Sequence, residues 1–358
     1  MARALRLARR GLYTTDPNPR VGCVLVRGND LIGQGWHRRA GEPHAEINAL
    51  AAAGDAARGA TAYVTLEPCA HHGRTPPCAD ALVAAGVSRV VAAVEDPNPA
   101  VAGGGLARLS DAGVATAAGV LAEEANAINA GFLRRMREGM PWVRVKLAAS
   151  LDGRTAMASG ESRWITGAAA RRDVHRLRAR SSAMLTGIGT VLHDDPQLTA
   201  RDVDAEVRQP RRYVLDPRLR LPESARLVTD GGGVTAFCSW PDDARVQALE
   251  RAGVTVQPLP PGPQGRVALP AVLAALARDE INEVMVEAGP TLSGAMVAEG
   301  LADEVIVYLA PHLMGDAARP LLALPGLERM ADRLAVRVTD TRQVGEDLRL
   351  VLAPNGGD

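Results

Sequence analysis

The sequence predicts an α/β protein of two domains, and three observations carry that expectation. Length is the first: 358 residues exceed one ordinary core, since domains hold roughly 100 to 200 residues. Composition is the second, with 47% hydrophobic and 23% charged residues, the balance of a globular chain rather than a disordered or collagen-like one. Patterning is the third: short apolar runs alternate with helical periodicity twice over, and Gly139-Met140-Pro141 interrupts the alternation. The expected domains are therefore 1–139 and 140–358.

In the first half the pattern predicts a basic helix at 2–10, strands near 21–26 and 62–66, helices near 44–53 and 79–85, and a strand near 89–94. A Gly-rich stretch and an Ala-rich helix at 120–137 close this half. The second half opens with a strand at 142–150, then a helix at 168–180 and strands at 182–187, 211–216 and 234–239. A helix at 269–279, a strand at 283–289, a helix at 291–299 and a strand at 303–311 follow, before a closing antiparallel hairpin near 334–339 and 347–353. Pro and Gly make PLPPGPQG a loop inside this alternation rather than a linker. No short-period repeat or coiled-coil heptad is present.

Aromatics are only 3% of the chain, so Ala, Val and Leu must fill the cores. Equal numbers of basic and acidic residues, 41 each, argue against a broad footprint for nucleic acid or anionic membrane and favour a small-molecule partner. No apolar run approaches the ~18 residues of a membrane span, and a cytoplasmic location is expected. Four cysteines are too few for a disulfide scaffold. Cys23 and Cys238 sit in apolar runs and read as core, whereas Cys69 and Cys78 are clustered. Lys146 is the only lysine among 41 basic residues, which hints at a place where a guanidinium cannot replace an ammonium.

The segment Glu42-Pro43-His44-Ala45-Glu46 precedes an apolar helical run, so His44 stands at a helix start. A strand runs into Glu67-Pro68-Cys69, and Cys78 opens the next helix. Helix N-termini favour thiolate, and three zinc-compatible ligands, His44, Cys69 and Cys78, converge. Three protein ligands leave a fourth position for water, the mark of a catalytic rather than a structural zinc. Glu46, two residues past a ligand, suits proton transfer to a ring nitrogen and leaving ammonia. His-x-Glu followed by Pro-Cys and a second Cys is the signature of zinc deaminases acting on nucleobases, in which the glutamate is not a ligand. A four-ligand structural zinc using His71 or His72, or a metal-free chain with buried cysteines, is the alternative.

Cys69 and Cys78 enclose eight residues, A-H-H-G-R-T-P-P, where the usual deaminase pattern has two. With Asn18-Pro19-Arg20-Val21-Gly22 and Asp96-Pro97-Asn98-Pro99, this insertion resembles the bifunctional riboflavin-biosynthesis deaminase/reductases over essentially the whole chain. The resemblance implies a cytidine-deaminase-like α/β/α sandwich followed by a dihydrofolate-reductase-like α/β domain. It implies a substrate that is a diaminopyrimidinone ribosylamino 5'-phosphate losing its 2-amino group. Asn18 and His37 match positions that contact the pyrimidine, and Arg74 falls where a basic residue meets the substrate phosphate. Asn18 before Pro also reads as a turn residue, and Arg74 as a solvated one.

In the second half, the strand holding Lys146 runs into Ser150-Leu151-Asp152-Gly153, and ligands sit beyond strand ends in such sheets. Arg171, Arg172, Arg176 and Arg178 read mostly as a solvated helix face. The strand Glu283–Glu287 followed by Ala288-Gly289-Pro290-Thr291-Leu292-Ser293-Gly294-Ala295 is the clearest nucleotide cue, since small residues let a diphosphate approach N–H groups at a helix start. The resemblance places Ala148, Trp164, Thr190, Asp194 and Gly289 to Ala295 at an NADPH site. It places Ser162, Arg178, Leu198, Arg201 and Glu287 at a substrate site. The implied reaction delivers hydride to the ribose anomeric carbon, opening the sugar to a ribityl chain through an imine form. Arg178 and Arg201 suit a phosphate clamp, Glu287 a pyrimidine edge, and Lys146 a ring carbonyl or the ring-opened intermediate. Lys146 also reads as a strand lysine capping the sheet. A homo-oligomer formed through the reductase domain is expected. The competing readings are a nucleoside or tRNA-adenosine deaminase with an accessory nucleotide-binding domain, and a zinc-stabilised nucleotide sensor without turnover.

Overall fold

The computed structural model describes residues 1–70, 77–98 and 102–354. The chain divides into two compact units, Met1–Met140 and Pro141–Asp358. The expected α/β class holds in both.

The first unit runs α1 (Ala2–Ala8), β1 (Gly22–Arg27), β2 (Asp30–Trp36), α2 (Ala45–Ala53), β3 (Thr61–Val64), α3 (Cys78–Ala84), β4 (Arg89–Ala92), α4 (Gly104–Asp111), β5 (Ala115–Ala117), α5 (Ala122–Ile128) and α6 (Ala130–Glu138). Its sheet has the order β2-β1-β3-β4-β5. β1 is antiparallel to β2 and β3, while β3, β4 and β5 are parallel. Alternation along β1 decides the layers: Cys23 and Leu25 pack with Ala45 and Ala49 of α2 and Leu82 of α3, and Val24 packs with Ala4 and Leu7 of α1. Helices thus cover both faces.

The second unit runs β6 (Trp142–Ser150), β7 (Arg154–Ala156), α7 (Ala168–Arg180), β8 (Ala183–Gly187), α8 (Ile188–Asp194), β9 (Arg211–Leu215), α9 (Arg226–Thr229), β10 (Val234–Cys238), α10 (Asp243–Arg251) and β11 (Val254–Pro258). It continues with β12 (Pro261–Gly262), β13 (Arg266–Val267), α11 (Leu269–Arg278), β14 (Glu283–Val286), α12 (Pro290–Ala298), β15 (Glu304–Ala310), β16 (Arg319–Pro320), β17 (Val336–Val344) and β18 (Asp347–Pro354). The main sheet is ordered β11-β10-β9-β8-β14-β6-β15-β18-β17. From β11 to β15 all neighbours are parallel, and β18 and β17 add antiparallel strands at one edge. Parallel strands are buried on both faces, which is why β14 reads Glu-Val-Met-Val and all four residues are buried.

Several elements differ from the sequence expectation. The helix expected at 120–137 is two helices, broken at Asn129, whose amide bonds the backbone N–H and carbonyl of Arg20 at 2.8 and 2.9 Å. PLPPGPQG is not plain loop: it carries β12, which pairs with β13. β2, β5, β7, β11, β13, β16, α4, α8, α9 and α10 are additional to the expected elements.

Candidate functional site

In the first unit, β3 and the starts of α2 and α3 deliver the metal-type side chains to one point. His44 is the extended N-cap of α2 and Cys78 is the first residue of α3. His44 Nδ1 lies 3.2 Å from Cys78 Sγ and 3.7 Å from Cys69 Sγ, and the three donor atoms all fall within 4.8 Å of one another. Arms of about 2.3 Å to sulfur and 2.0 Å to imidazole nitrogen put tetrahedral ligand atoms roughly 3.5–3.8 Å apart, so the trio fits zinc. The thiols are electronically unequal. Cys69 accepts from the thiol of Cys78 and from His44, which brings it down to about 4 against the opposing effect of burial, and Cys78 is correspondingly pushed up.

Glu46, on the first turn of α2, is 3% exposed. Burial raises its carboxyl to about 7, with His44 pulling the other way. A carboxyl poised near neutrality is suited to both taking and giving a proton.

Asn18 and His37 meet through their side chains. Asn18 Nδ2 donates to His37 Nε2 at 3.0 Å, and His37 Nδ1 donates to Pro43 O at 3.2 Å. His37 is 2% exposed and burial lowers its pKa, so it is a neutral ring with both nitrogens occupied. In this arrangement His37 orients Asn18 and packs edge-on against His44, 5.2 Å between centroids. Asn18 also closes a turn, its N–H donating to Thr15 O at 3.0 Å. Arg74, with His71 and His72, lies outside the described residues.

Sequence reasoning passed over Glu67. Its buried carboxylate accepts the backbone N–H groups of Asp96, Gly103, Gly105 and Leu106 at 2.9–3.1 Å, tying the start of α4 to the turn that carries Cys69. An acidic residue directly before Pro-Cys was the available signal.

In the second unit a cleft of about 2180 Å³ opens at the carboxyl ends of the parallel strands. Lys146 and Ala148 come from β6, Thr190 and Asp194 from α8, and Glu287 and Gly289 from the turn between β14 and α12. Ser162, Trp164, Arg178, Leu198, Arg201, Pro290, Thr291, Leu292 and Ala295 line it as well. Leu198 does so with its side chain buried against Val174 and Leu177. His175, unassigned from sequence, joins Arg171 and Arg178 in an i, i+4, i+7 stripe along α7 that faces the cleft.

Two expected cofactor residues do not line this cleft. Ser293 is fully buried and its hydroxyl donates to Ala288 O at 3.2 Å, while Gly294 packs so closely that a Cβ there would lie 2.2 Å from Ala323 O. Both seat α12, through Ala288 O and Ala323 O. Arg178 also departs from expectation. Its Nε and Nη2 donate to the two carboxylate oxygens of Glu287 at 2.6 and 2.9 Å, and Nη1 donates to Thr199 O at 3.2 Å. Its fork is paired with Glu287 within the cleft, so it is not part of a solvated face.

Lys146 Nζ stands 4.0 Å from Glu287 Oε2. Burial lowers the ammonium pKa, Glu287 opposes that and Arg178 adds to it. For Glu287 burial would raise the pKa, but the Arg178 charge and hydrogen bonds, then Lys146, outweigh it and hold the carboxyl at about 2. Trp164 stands 70% exposed, with the Arg171 guanidinium 4.5 Å from its ring centroid. Gly289 N–H donates to Thr190 Oγ1 at 3.3 Å, linking the starts of α8 and α12.

Comparison with known proteins places both sites in one family. Residues 1–94 match the cytidine and deoxycytidylate deaminase zinc-binding region, and residues 141–350 match the RibD C-terminal domain. The chain is 52% identical to riboflavin biosynthesis protein RibD of Escherichia coli (strain K12), over 98% of each chain. Acinetobacter baumannii RibD superposes with a TM-score of 0.92 at 48% identity, covering 99% of this chain and 97% of that one. A Thermotoga maritima diaminohydroxyphosphoribosylaminopyrimidine deaminase/5-amino-6-(5-phosphoribosylamino)uracil reductase gives 0.86 at 31% identity, covering 99% and 97%. A metal-type trio beside a buried glutamate, a wide cleft at a parallel sheet's carboxyl edge and full-length likeness agree: this chain belongs to the RibD family of bifunctional deaminase/reductases of riboflavin biosynthesis.

Proposed function

We propose that the unit Met1–Met140 carries out the deamination and the unit Pro141–Asp358 the reduction, on a diaminopyrimidinone ribosylamino 5'-phosphate. The observation that carries the reading is the His44–Cys69–Cys78 donor set beside Glu46, in a unit distinct from the cleft that holds Lys146 and Glu287. Zinc held by those three residues supplies Lewis acidity that eases proton loss from water at neutral pH. Glu46 takes that proton and gives it to the ring nitrogen as the water oxygen bonds to the ring carbon, then takes the second proton from that oxygen and gives it to the amino group, which leaves as ammonia as the carbonyl forms. Asn18, fixed by His37, orients the pyrimidine edge.

In the second unit, NADPH supplies the hydride and the chain positions the reacting carbons. The exposed Trp164 ring offers a flat platform, and the N–H groups at the start of α12 suit the diphosphate. Lys146 sets an ammonium against a substrate oxygen, kept charged by Glu287. Among the described residues the Arg201 side chain bonds only the uncharged Gln197 and Thr199, which leaves it without a carboxylate partner and suited to the substrate phosphate. A cleft of this size exceeds the roughly 300–1,000 Å³ of a single-ligand pocket and suits two ligands together.

No described helix is long and apolar enough to cross a membrane, and all four cysteines are free, which fits a cytoplasmic enzyme. The neutral net charge supports a small molecule rather than nucleic acid as partner. Exposed Met330, Leu334, Val336 and Val338 lie on or next to the edge strand β17 and support self-association through the second unit. The deciding experiment joins metal analysis to a coupled assay on the diaminopyrimidinone phosphate: ammonia release requires zinc, and ribityl product forms only with NADPH. Ammonia release instead from cytidine, guanine or adenosine would replace this reading.

A further inference from the structure

The segment 195–202 lines the cleft in the second unit, and its backbone is held in a shape it would not keep by itself. Asp195, Leu198 and Asp202 have φ of +42°, +55° and +55°, in the left-handed region that residues with a side chain seldom occupy. Such a conformation persists where the surroundings over-determine it. Residues 196–202 belong to no helix or strand, and side chains from elsewhere hold them. Arg212 Nη1 donates to Gln197 O at 3.2 Å, Arg178 Nη1 donates to Thr199 O at 3.2 Å, and His175 Nδ1 accepts the Arg201 N–H at 3.2 Å. Amid these, Gln209 Oε1 accepts the Ala200 N–H at 2.9 Å and Gln209 Nε2 donates to Ala200 O at 2.8 Å.

The two bonds of Gln209 copy the exchange between paired residues of neighbouring strands, made here by a side-chain amide. It reaches from a stiff base: Pro210 restrains the Gln209 backbone to extended shapes, and β9 begins at Arg211. The other holding groups serve elsewhere as well. Arg178 and His175 line the cleft themselves, and Arg212 is also paired with Asp230 and bonded to Gly233 O. Gln209 does not line the cleft, and among the described residues its amide bonds Ala200 alone. What it fixes is the approach to Arg201. The peptide unit between Ala200 and Arg201 is gripped from both sides, its oxygen by Gln209 Nε2 and its N–H by His175 Nδ1. The Arg201 guanidinium bonds Gln197 and Thr199 of the same segment, so it is placed by whatever places that segment.

We propose that Gln209 is a positioning residue of the reductase: its amide locks Ala200 so that Arg201 is presented to the substrate phosphate. This rests on the reading of Arg201 given above. The test follows NADPH oxidation by the full chain on the deaminated phosphate substrate, for Gln209→Met, which keeps the length and loses both hydrogen bonds, for Arg201→Gln and for the double variant. Gln209→Met is expected to raise the substrate KM about tenfold while kcat and the NADPH KM stay within about threefold, a split that a general loss of structure would not give. In the Arg201→Gln background the same change should add less than about twofold, because it acts through Arg201. A substrate KM within about twofold of wild type, an equal rise in the NADPH KM, or an undiminished effect in the Arg201→Gln background overturns the assignment. Arg201→Gln with an unchanged substrate KM overturns the phosphate reading of Arg201 itself, an outcome distinct from a silent Gln209→Met beside an impaired Arg201→Gln. The melting transition of the second unit reports folding. Should Gln209→Met fail that control, hydrogen exchange on the wild-type chain decides: the Ala200 and Arg201 amides must exchange at least about tenfold more slowly than in a free peptide, and exchange at the free-peptide rate refutes the lock.

Discussion

Glu287→Gln changes almost no volume and removes the one negative charge that two cations share. Arg178 contacts both carboxylate oxygens at 2.6 and 2.9 Å, Lys146 stands at 4.0 Å, and the three side chains are only 13–16% exposed. The carboxyl sits at about 2 in the folded protein against an ordinary 4.5. A depressed carboxylate pKa stabilises the fold above the unfolded value and loses that contribution as pH falls through the folded one. At 1.36 kcal/mol per unit the contribution at neutral pH is roughly 3 kcal/mol. Breaking a buried ion pair by removing one partner costs about 3–5 kcal/mol, which agrees. Urea unfolding of the reductase transition at pH 7 should therefore show a loss of roughly 3 kcal/mol, shrinking as both proteins are taken from pH 4.5 toward pH 2. Kinetics should move too. Glu287 is the group that raises the Lys146 pKa against burial and Arg178, so its removal shifts the alkaline limb of the reductase pH profile to lower pH. A stability loss below about 1 kcal/mol, or an equal loss at pH 7 and pH 3, would show that Glu287 does not hold these cations in place.

Glu46→Gln should cut ammonia release by about 10²–10⁴-fold while zinc content and reduction of already deaminated substrate persist, checked by metal analysis and NADPH oxidation. Cys69→Ser should lower zinc content and abolish deamination, again sparing the reductase; a variant with full zinc would place the metal elsewhere. Gly294→Ala puts a methyl against Ala323 O and should destabilise the second unit by about 1–3 kcal/mol, read from its melting transition, with deamination unaffected.

Much of this was legible from residues alone where the signal is local. The helix 168–180 and strand 142–150 appear at those bounds because their apolar periodicity is uninterrupted. β2 escaped because its Asp-Leu-Ile-Gly-Gln-Gly-Trp sequence has glycines at alternate positions, which read as breakers. They are there for packing: a Cβ at Gly33 would lie 2.4 Å from Ala49 O and one at Gly35 2.5 Å from Ala45 O, both in α2. The break at Asn129 depends on Arg20, 109 residues away, and the commitment of Arg178 to Glu287 spans the same separation. Such pairings are set by tertiary register, and no local pattern announces them. The zinc ligands could be named because their types, order and helix-start positions are all local; that Ser293 and Gly294 turn inward could not, because it depends on Ala323 crossing beneath α12.

The seating of α2 on bare glycine backbone carries a lesson for redesign. Where the helix's own carbonyls rest on strand glycines there are no rotamers between them to swap, so over β2 the distance between the helix that carries Glu46 and the sheet is set by main chain. Efforts to admit a different heterocycle would have to work from the connecting segments around the rim, because on that side the floor under this helix offers no adjustable shim.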